Sequence, residues 1–163
     1  MKPARLAPLL VVALVGCSPS PTVAAQVGDT TITTARVADI VAACPAVGTT
    51  QVTDSLALQT LIHAEIFREV ADITSIKLDD KELRSILLAD ENFGPFLTQE
   101  PDCTDLLLAQ AASTVLGAKG EPAQLDAALA QVQVEVNPRY GTWSTEKLGI
   151  EGSGSLSTPV TQG

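Results

Sequence analysis

The sequence predicts a mainly α-helical domain with a small β unit, closed by pairing of its N-terminal and C-terminal strands. Three observations carry that expectation. Aromatic residues make up only 3% of a chain that is 45% hydrophobic, so the core must be built from Leu, Ile, Val and Ala, a mix suited to helices packed on helices. Through the middle of the chain, apolar residues recur at helical spacing. Near both ends the period drops to two, around Gly28-Asp29 and again at Val132, Val134 and Val136, which marks strands.

Each element follows from local chemistry. Residues 24–27 and 30–33 flank Gly28-Asp29, a pair whose residue types favour a tight hairpin turn. Thr34 is placed to cap a first helix over residues 35–43, with Val37, Ile40 and Val41 as its apolar stripe and Pro45 ending it. A second helix runs from Asp54 to about Asp72. Leu58, Leu61, Ile62, Ile66, Phe67 and Val70 recur on one side, with Gln59, Glu65, Arg68 and Glu69 on the other. His63 lies in it without a ligand partner at metal spacing and reads as a surface or boundary residue.

A third helix starts at Asp79, with Glu82 three positions on as an approximate capping box, and continues to about Ala89. Residues 90–101 read as an irregular loop carrying Phe93 and Phe96 around Gly94-Pro95. A fourth helix follows over residues 102–115, ending near Gly117, with Leu106, Leu107, Ala111 and Val115 facing inward. Pro122 suits the first turn of a short helix to about Ala130. The closing strand carries Val132, Val134 and Val136 and stops at Asn137-Pro138. Pairing it with the first strand closes the ends over the helices.

The chain ends have a different character. Lys2 and Arg5 precede an apolar run from Leu6 to Val15, and Leu14-Val15-Gly16-Cys17 closes it with small residues before a cysteine. That order reads as a bacterial lipoprotein signal over residues 1–16, with the Cys17 thiol taking a diacylglyceryl group and becoming the mature N-terminus. An uncleaved membrane anchor is the alternative, but the run falls short of the ~20 residues needed to span a bilayer. A plain signal peptide with an incidental cysteine is another. Residues 17–23 read as a tether, residues 24–150 as one domain, and residues 151–163, rich in Ser, Thr, Pro and Gly, as a disordered tail. Loss of Lys2 and Arg5 takes the net charge from −9 to −11. So acidic a surface repels nucleic-acid phosphates and anionic headgroups. The expected membrane contact is therefore through the acyl chains, at the outer face of the cytoplasmic membrane.

With Cys17 assigned to lipid, Cys44 and Cys103 remain as an even pair in an exported chain, which reads as a disulfide. Two buried free thiols or half a metal site are the alternatives. The metal site has little to draw on, since His63 is the only histidine and no Cys-x-x-Cys occurs. A search for reaction centres finds no Gly-x-Ser-x-Gly, no His-Glu-x-x-His and no phosphate-binding loop. Asp79-Asp80 reads as helix-start charge, and Asp90-Glu91 lacks the alternating oxygen donors of a calcium loop. No enzyme activity, cofactor, metal or small-molecule substrate is expected. Tyr140 and Trp143 read first as packing for the end of the last strand, with an aromatic binding ledge as the alternative. Phe93 and Phe96 are the candidate client-binding contacts, with buried staples as the competing reading.

Two segments carry a resemblance. Ala24-Ala25-Gln26-Val27-Gly28-Asp29-Thr30-Thr31-Ile32-Thr33 resembles the opening strand-turn-strand of the SurA/PrsA-type chaperone domain of exported peptidyl-prolyl isomerases. Val134-Glu135-Val136-Asn137-Pro138-Arg139-Tyr140-Gly141-Thr142-Trp143 is similar to its closing segment. The helices between have the matching number and order, so the resemblance covers roughly residues 24–148. The Ala-, Val- and Thr-rich, Lys-poor composition is similar to that of actinobacterial members with a SurA N-terminal-like domain. Catalytic members carry a separate parvulin domain, whereas here only residues 117–131 separate the fourth helix from the closing strand and a short tail follows. The resemblance therefore implies a lipid-anchored domain that holds unfolded or partly folded exported proteins and does not isomerise prolines. An accessory or structural lipoprotein docking one folded partner at the envelope is the second reading. A holding surface would be a broad apolar cradle, a docking surface a compact patch with defined hot spots.

Overall fold

A computed structural model describes residues 20–152 of the 163. Residues 1–16, expected as a signal, Cys17, expected as the lipidation site, and residues 153–163 of the expected tail lie outside the described residues. Within them the fold is mainly helical, with small antiparallel sheets.

The N-terminal hairpin pairs β1 (Val23–Val27) with β2 (Thr30–Thr33). Gly28 makes the turn at φ +50, a backbone region that other residues rarely adopt, and a Cβ there would meet the Glu69 carboxylate at 2.9 Å. A register shift between Val23 and Ala25 interrupts the alternation, and Ala24 and Ala25 are both buried. The far edge of β1 takes β5 (Val134–Val136), antiparallel, with Ala25 opposite Val136 and Val27 opposite Val134. The two ends of the domain are thus hydrogen-bonded together. Asn137 fastens the junction, its backbone N–H donating to the Ala24 carbonyl and its side-chain amide to that of Val23. Residues 20–22, expected as free tether, also join the fold: Val23 N–H donates to the Ser20 carbonyl and Thr34 N–H to that of Thr22.

Helix α1 (Thr34–Ala43) is capped by Thr33, whose side-chain oxygen accepts from the Arg36 N–H. The cap sits one residue before the expected Thr34: Thr33 has the extended backbone of a cap, while Thr34 is already the first residue of the helix. Between α1 and the next helix, β3 (Ala46–Val47) and β4 (Thr50–Gln51) form a miniature hairpin turning at Gly48, φ +60. Strands of two residues leave no periodicity to read in the sequence.

Helix α2 (Asp54–Thr74) is the spine of the domain. Thr53 caps it by accepting from the Leu56 N–H, and Ser75 ends it in the left-handed conformation at φ 59. Leu58, Ile62 and Ile66 are at most 2% exposed, each contributing about 1.5–3 kcal/mol of apolar burial. Helix α3 (Asp80–Ala89) begins as its sequence indicates, with the Asp79 carboxylate accepting from the Glu82 N–H.

Residues 90–101 depart from the expected loop. They hold a helix, α4 (Phe93–Gln99), then a single 3₁₀ turn, Pro101–Cys103. Gly94-Pro95 reads as a helix breaker, yet Pro95 lies in the first turn, where its missing N–H leaves no intrahelical bond unmade. Asp90 supplies the start instead, one carboxylate oxygen accepting from the Asn92 and Phe93 N–H groups. Those backbone bonds, Phe93 first, lower the Asp90 pKa from its ordinary value. Phe93 and Phe96 are accordingly helical and half-buried against the core.

Helix α5 (Thr104–Lys119) runs through Gly117 and ends at Gly120, longer than expected. Helix α6 (Pro122–Leu129) opens on its proline. After β5, a last hairpin of β6 (Thr142–Ser144) and β7 (Gly149–Glu151) sets Trp143 opposite Ile150 and lies against α2. It too was not anticipated. The Cys44 and Cys103 sulfurs are bonded, their Cα atoms 4.8 Å apart, which ties the end of α1 to the start of α5.

Candidate functional groove

Helices α2 and α5 pack side by side, and the furrow between them opens to solvent as a cavity of about 410 Å³. From α2 come Leu56, Thr60, His63 and Phe67, residues three or four apart and therefore on one face. Helix α5 contributes Leu106, Leu107, Gln110 and Ser113 in the same way. Val47 and Thr50 of the β3–β4 hairpin and Phe93 of α4 complete the wall. The Cys44–Cys103 bridge lies between that hairpin and α5, so it positions this end of the groove.

The furrow continues. A second cavity, about 180 Å³, meets the first at Phe67 and Ser113 and carries on past Val70, Leu116 and Leu125. A third, about 400 Å³, meets the second at Asp126 and Leu129 and passes round α6 to Val132, Val134 and Trp143. From Leu56 to Val70 the groove follows α2 for about 20 Å at about 1.5 Å per residue. No charged residue lines the first cavity, and Asp126 is the sole charge on the second and third. In a chain of net charge −9, this is a stretch of surface with a single charged lining residue.

His63 sits on the wall of the groove. Its Nε2 lies 2.6 Å from the Leu148 carbonyl, an acceptor only, so Nε2 carries the proton and donates. The Trp143 ring meets the imidazole edge-on at 5.9 Å and Phe67 lies 6.2 Å away, tilted. The only histidine therefore anchors the β6–β7 hairpin to α2. Leu148 itself is at φ 46, an uncommon conformation for leucine, held at the hairpin end by this contact. Trp143 serves packing, as read first from the sequence, and it also walls the third cavity. Tyr140 packs on the core under the Arg139 guanidinium, 5.3 Å from the ring centre.

Of the two phenylalanines singled out in the sequence, Phe93 lines the groove, while Phe96 packs on the core and does not. The residues that sequence reasoning missed are Leu56, Thr60, Gln110 and Ser113. A signal existed: positions 56, 60, 63, 67 and 70 of α2 carry no charge, although Glu65, Arg68 and Glu69 crowd its other side.

The charged chemistry lies elsewhere. Asp105 accepts from Arg36 and Arg84 at 3.1 and 3.0 Å, joining α1, α3 and α5. Partial burial pushes its carboxyl up, but the two guanidinium hydrogen bonds and their charge outweigh that and hold the pKa below its ordinary value. Among the described residues no three His, Cys, Asp or Glu side chains stand together to hold a metal ion. His63 bonds a backbone carbonyl rather than a nucleophile or carboxylate. The lining of the first cavity combines apolar side chains with the hydroxyl groups of Thr50, Thr60 and Ser113 and the Gln110 amide. Comparison with protein-family models, with curated proteins and with solved structures finds no match to this chain.

Proposed function

We propose that this protein is a membrane-anchored lipoprotein that holds unfolded or partly folded exported proteins in the α2–α5 groove, without isomerising their prolyl bonds. The groove carries the proposal. It is long and open, lined by a single charged residue, Asp126, in an acidic molecule, and it offers surface rather than a reaction centre. The SurA N-terminal-like reading of the domain belongs to the same proposal and is supported by the β1–β5 pairing and its Asn137 fastening. The absence of catalysis is supported by the short connection from α5 to β5, which holds α6 alone. Attachment through Cys17 is part of the same proposal and rests on the order of residues 2–17 in the sequence; among the described residues no helix is long and apolar enough to cross a membrane.

The test is a pair of assays on the purified protein. It should slow aggregation of a denatured client at near-stoichiometric ratio, and Phe93→Ser should weaken that effect. It should leave the cis-to-trans exchange of an X-Pro peptide at its uncatalysed rate of tens of seconds or longer. Failure to hold any client, with a single folded partner recovered from membranes, would favour the accessory reading. Catalysed isomerisation would overturn both.

A further inference from the structure

We infer that the groove selects segments in which a run of uncharged apolar residues is followed by a lysine or arginine, with Asp126 as the group that reads the cation. The inference rests on the holding function proposed above and adds a specificity to it. Three observations converge. The first two cavities follow α2 as a furrow about 20 Å long, with no charged lining residue but Asp126, and at about 3.3 Å per residue it takes about six residues of extended chain. At its far end stands Asp126, the sole charge on the second and third cavities and shared by both. Its carboxylate is on the exposed face of α6 and forms no ion pair among the described residues.

Most other charges near the helices are committed. Arg36 and Arg84 are held by Asp105, Arg68 by Glu65 and Lys119 by Glu82. None of these basic groups lines the three cavities. A segment leaving the furrow past Leu129 therefore meets one uncompensated negative charge and no positive one. A basic side chain at that point gains an ion pair beside an apolar wall, and its methylene stem can lie on Leu125 and Leu129. An acidic side chain there meets like charge. The occupant is thus an apolar stretch with a basic flank, a pattern that differs in charge from this chain's own surface.

The experiment uses fluorescein-labelled apolar hexapeptides bearing one Lys, one Glu or no charge at either end, titrated against purified protein at about 0.15 M salt to screen distant charges. Wild-type protein should bind the Lys-flanked peptide about three-fold more tightly than the Glu-flanked one, the range of an exposed ion pair. That preference should vanish in Asp126→Asn and invert in Asp126→Lys. A Lys preference that survives both substitutions would belong to the overall acidity and would overturn the inference while leaving holding intact. Failure of every peptide to bind, the uncharged one included, would sink the holding proposal and this inference with it. A wild-type dimer that Leu107→Lys dissolves in sedimentation would assign the furrow to a second copy and also overturn it.

Discussion

Replacing Cys44 and Cys103 together with alanine should destabilise the domain by about 4 kcal/mol. The bridge spans a sequence separation of 59, and closing a loop of that length removes chain entropy from the unfolded state worth about 4 kcal/mol at 25 °C. Both cysteines are 1% exposed, so the lost sulfur packing adds to this rather than offsetting it. With an unfolding entropy of about 2.1 cal/mol/K per residue over about 130 residues, the fall in Tm should be about 15 °C. Urea unfolding of the wild type with and without reductant measures the same quantity independently. The reduced wild type and the double variant should have similar midpoints, and both should show a larger m-value because the uncrosslinked chain exposes more surface. Alkylation without reductant followed by intact-mass measurement should find neither Cys44 nor Cys103 modified. Two alkylated thiols, or a midpoint unmoved by reductant, would refute the reasoning.

Three further outcomes are expected. The folded-state pKa of Asp105 is depressed, so its stabilising contribution is fully present above the unfolded carboxylate value of about 3.9 and is lost as pH falls through the lower folded value. Because Asp105 is 38% exposed and its pairs are screened, Asp105→Asn should cost about 1 kcal/mol at pH 7, and urea midpoints of the two proteins should converge at low pH. Gly94→Ala would drive a Cβ into the Leu88 carbonyl oxygen, backbone that cannot swing aside. It should destabilise by about 1–3 kcal/mol, read by thermal unfolding. Cys17→Ala should leave the protein unlipidated and release it from the membrane fraction; a variant that still matures as a lipoprotein would defeat that reading of the N-terminus.

What was legible in the sequence was what repeats or caps locally. Helix α2 could be read because its apolar positions recur from Leu58 to Val70, over about three turns, and α3 because Asp79 and Glu82 stand at capping distance. The β1–β2 hairpin followed from Gly28, the one residue type suited to its turn, and β1–β5 pairing from the need to close two strands at opposite ends. Adjacent threonines at 33 and 34 left the α1 cap ambiguous by one residue. Helix α4 was hidden because Gly94-Pro95 signals a break, and only the side chain of Asp90, acting on the next turn, reverses that signal. The β3–β4 and β6–β7 hairpins were too short to show a period. The groove was hardest, since it is a property of two helices together. Phe67 and Leu107 were read as inward-facing, and only the packing of α2 beside α5 shows that they stop half-way, at the surface of a furrow.

The central claim is that client chains are held in this furrow and not by general surface stickiness, and one comparison tests it. Leu107 lines the groove, whereas Leu88 is 56% exposed, the most exposed large hydrophobic among the described residues, and lies outside it. Aggregation of a denatured client should be followed with wild type, Leu107→Lys and Leu88→Lys, each first shown by circular dichroism and urea midpoint to be folded. The account predicts that Leu107→Lys loses most of the holding and Leu88→Lys keeps it. Equal holding by all three proteins, or loss with Leu88→Lys alone, would contradict it.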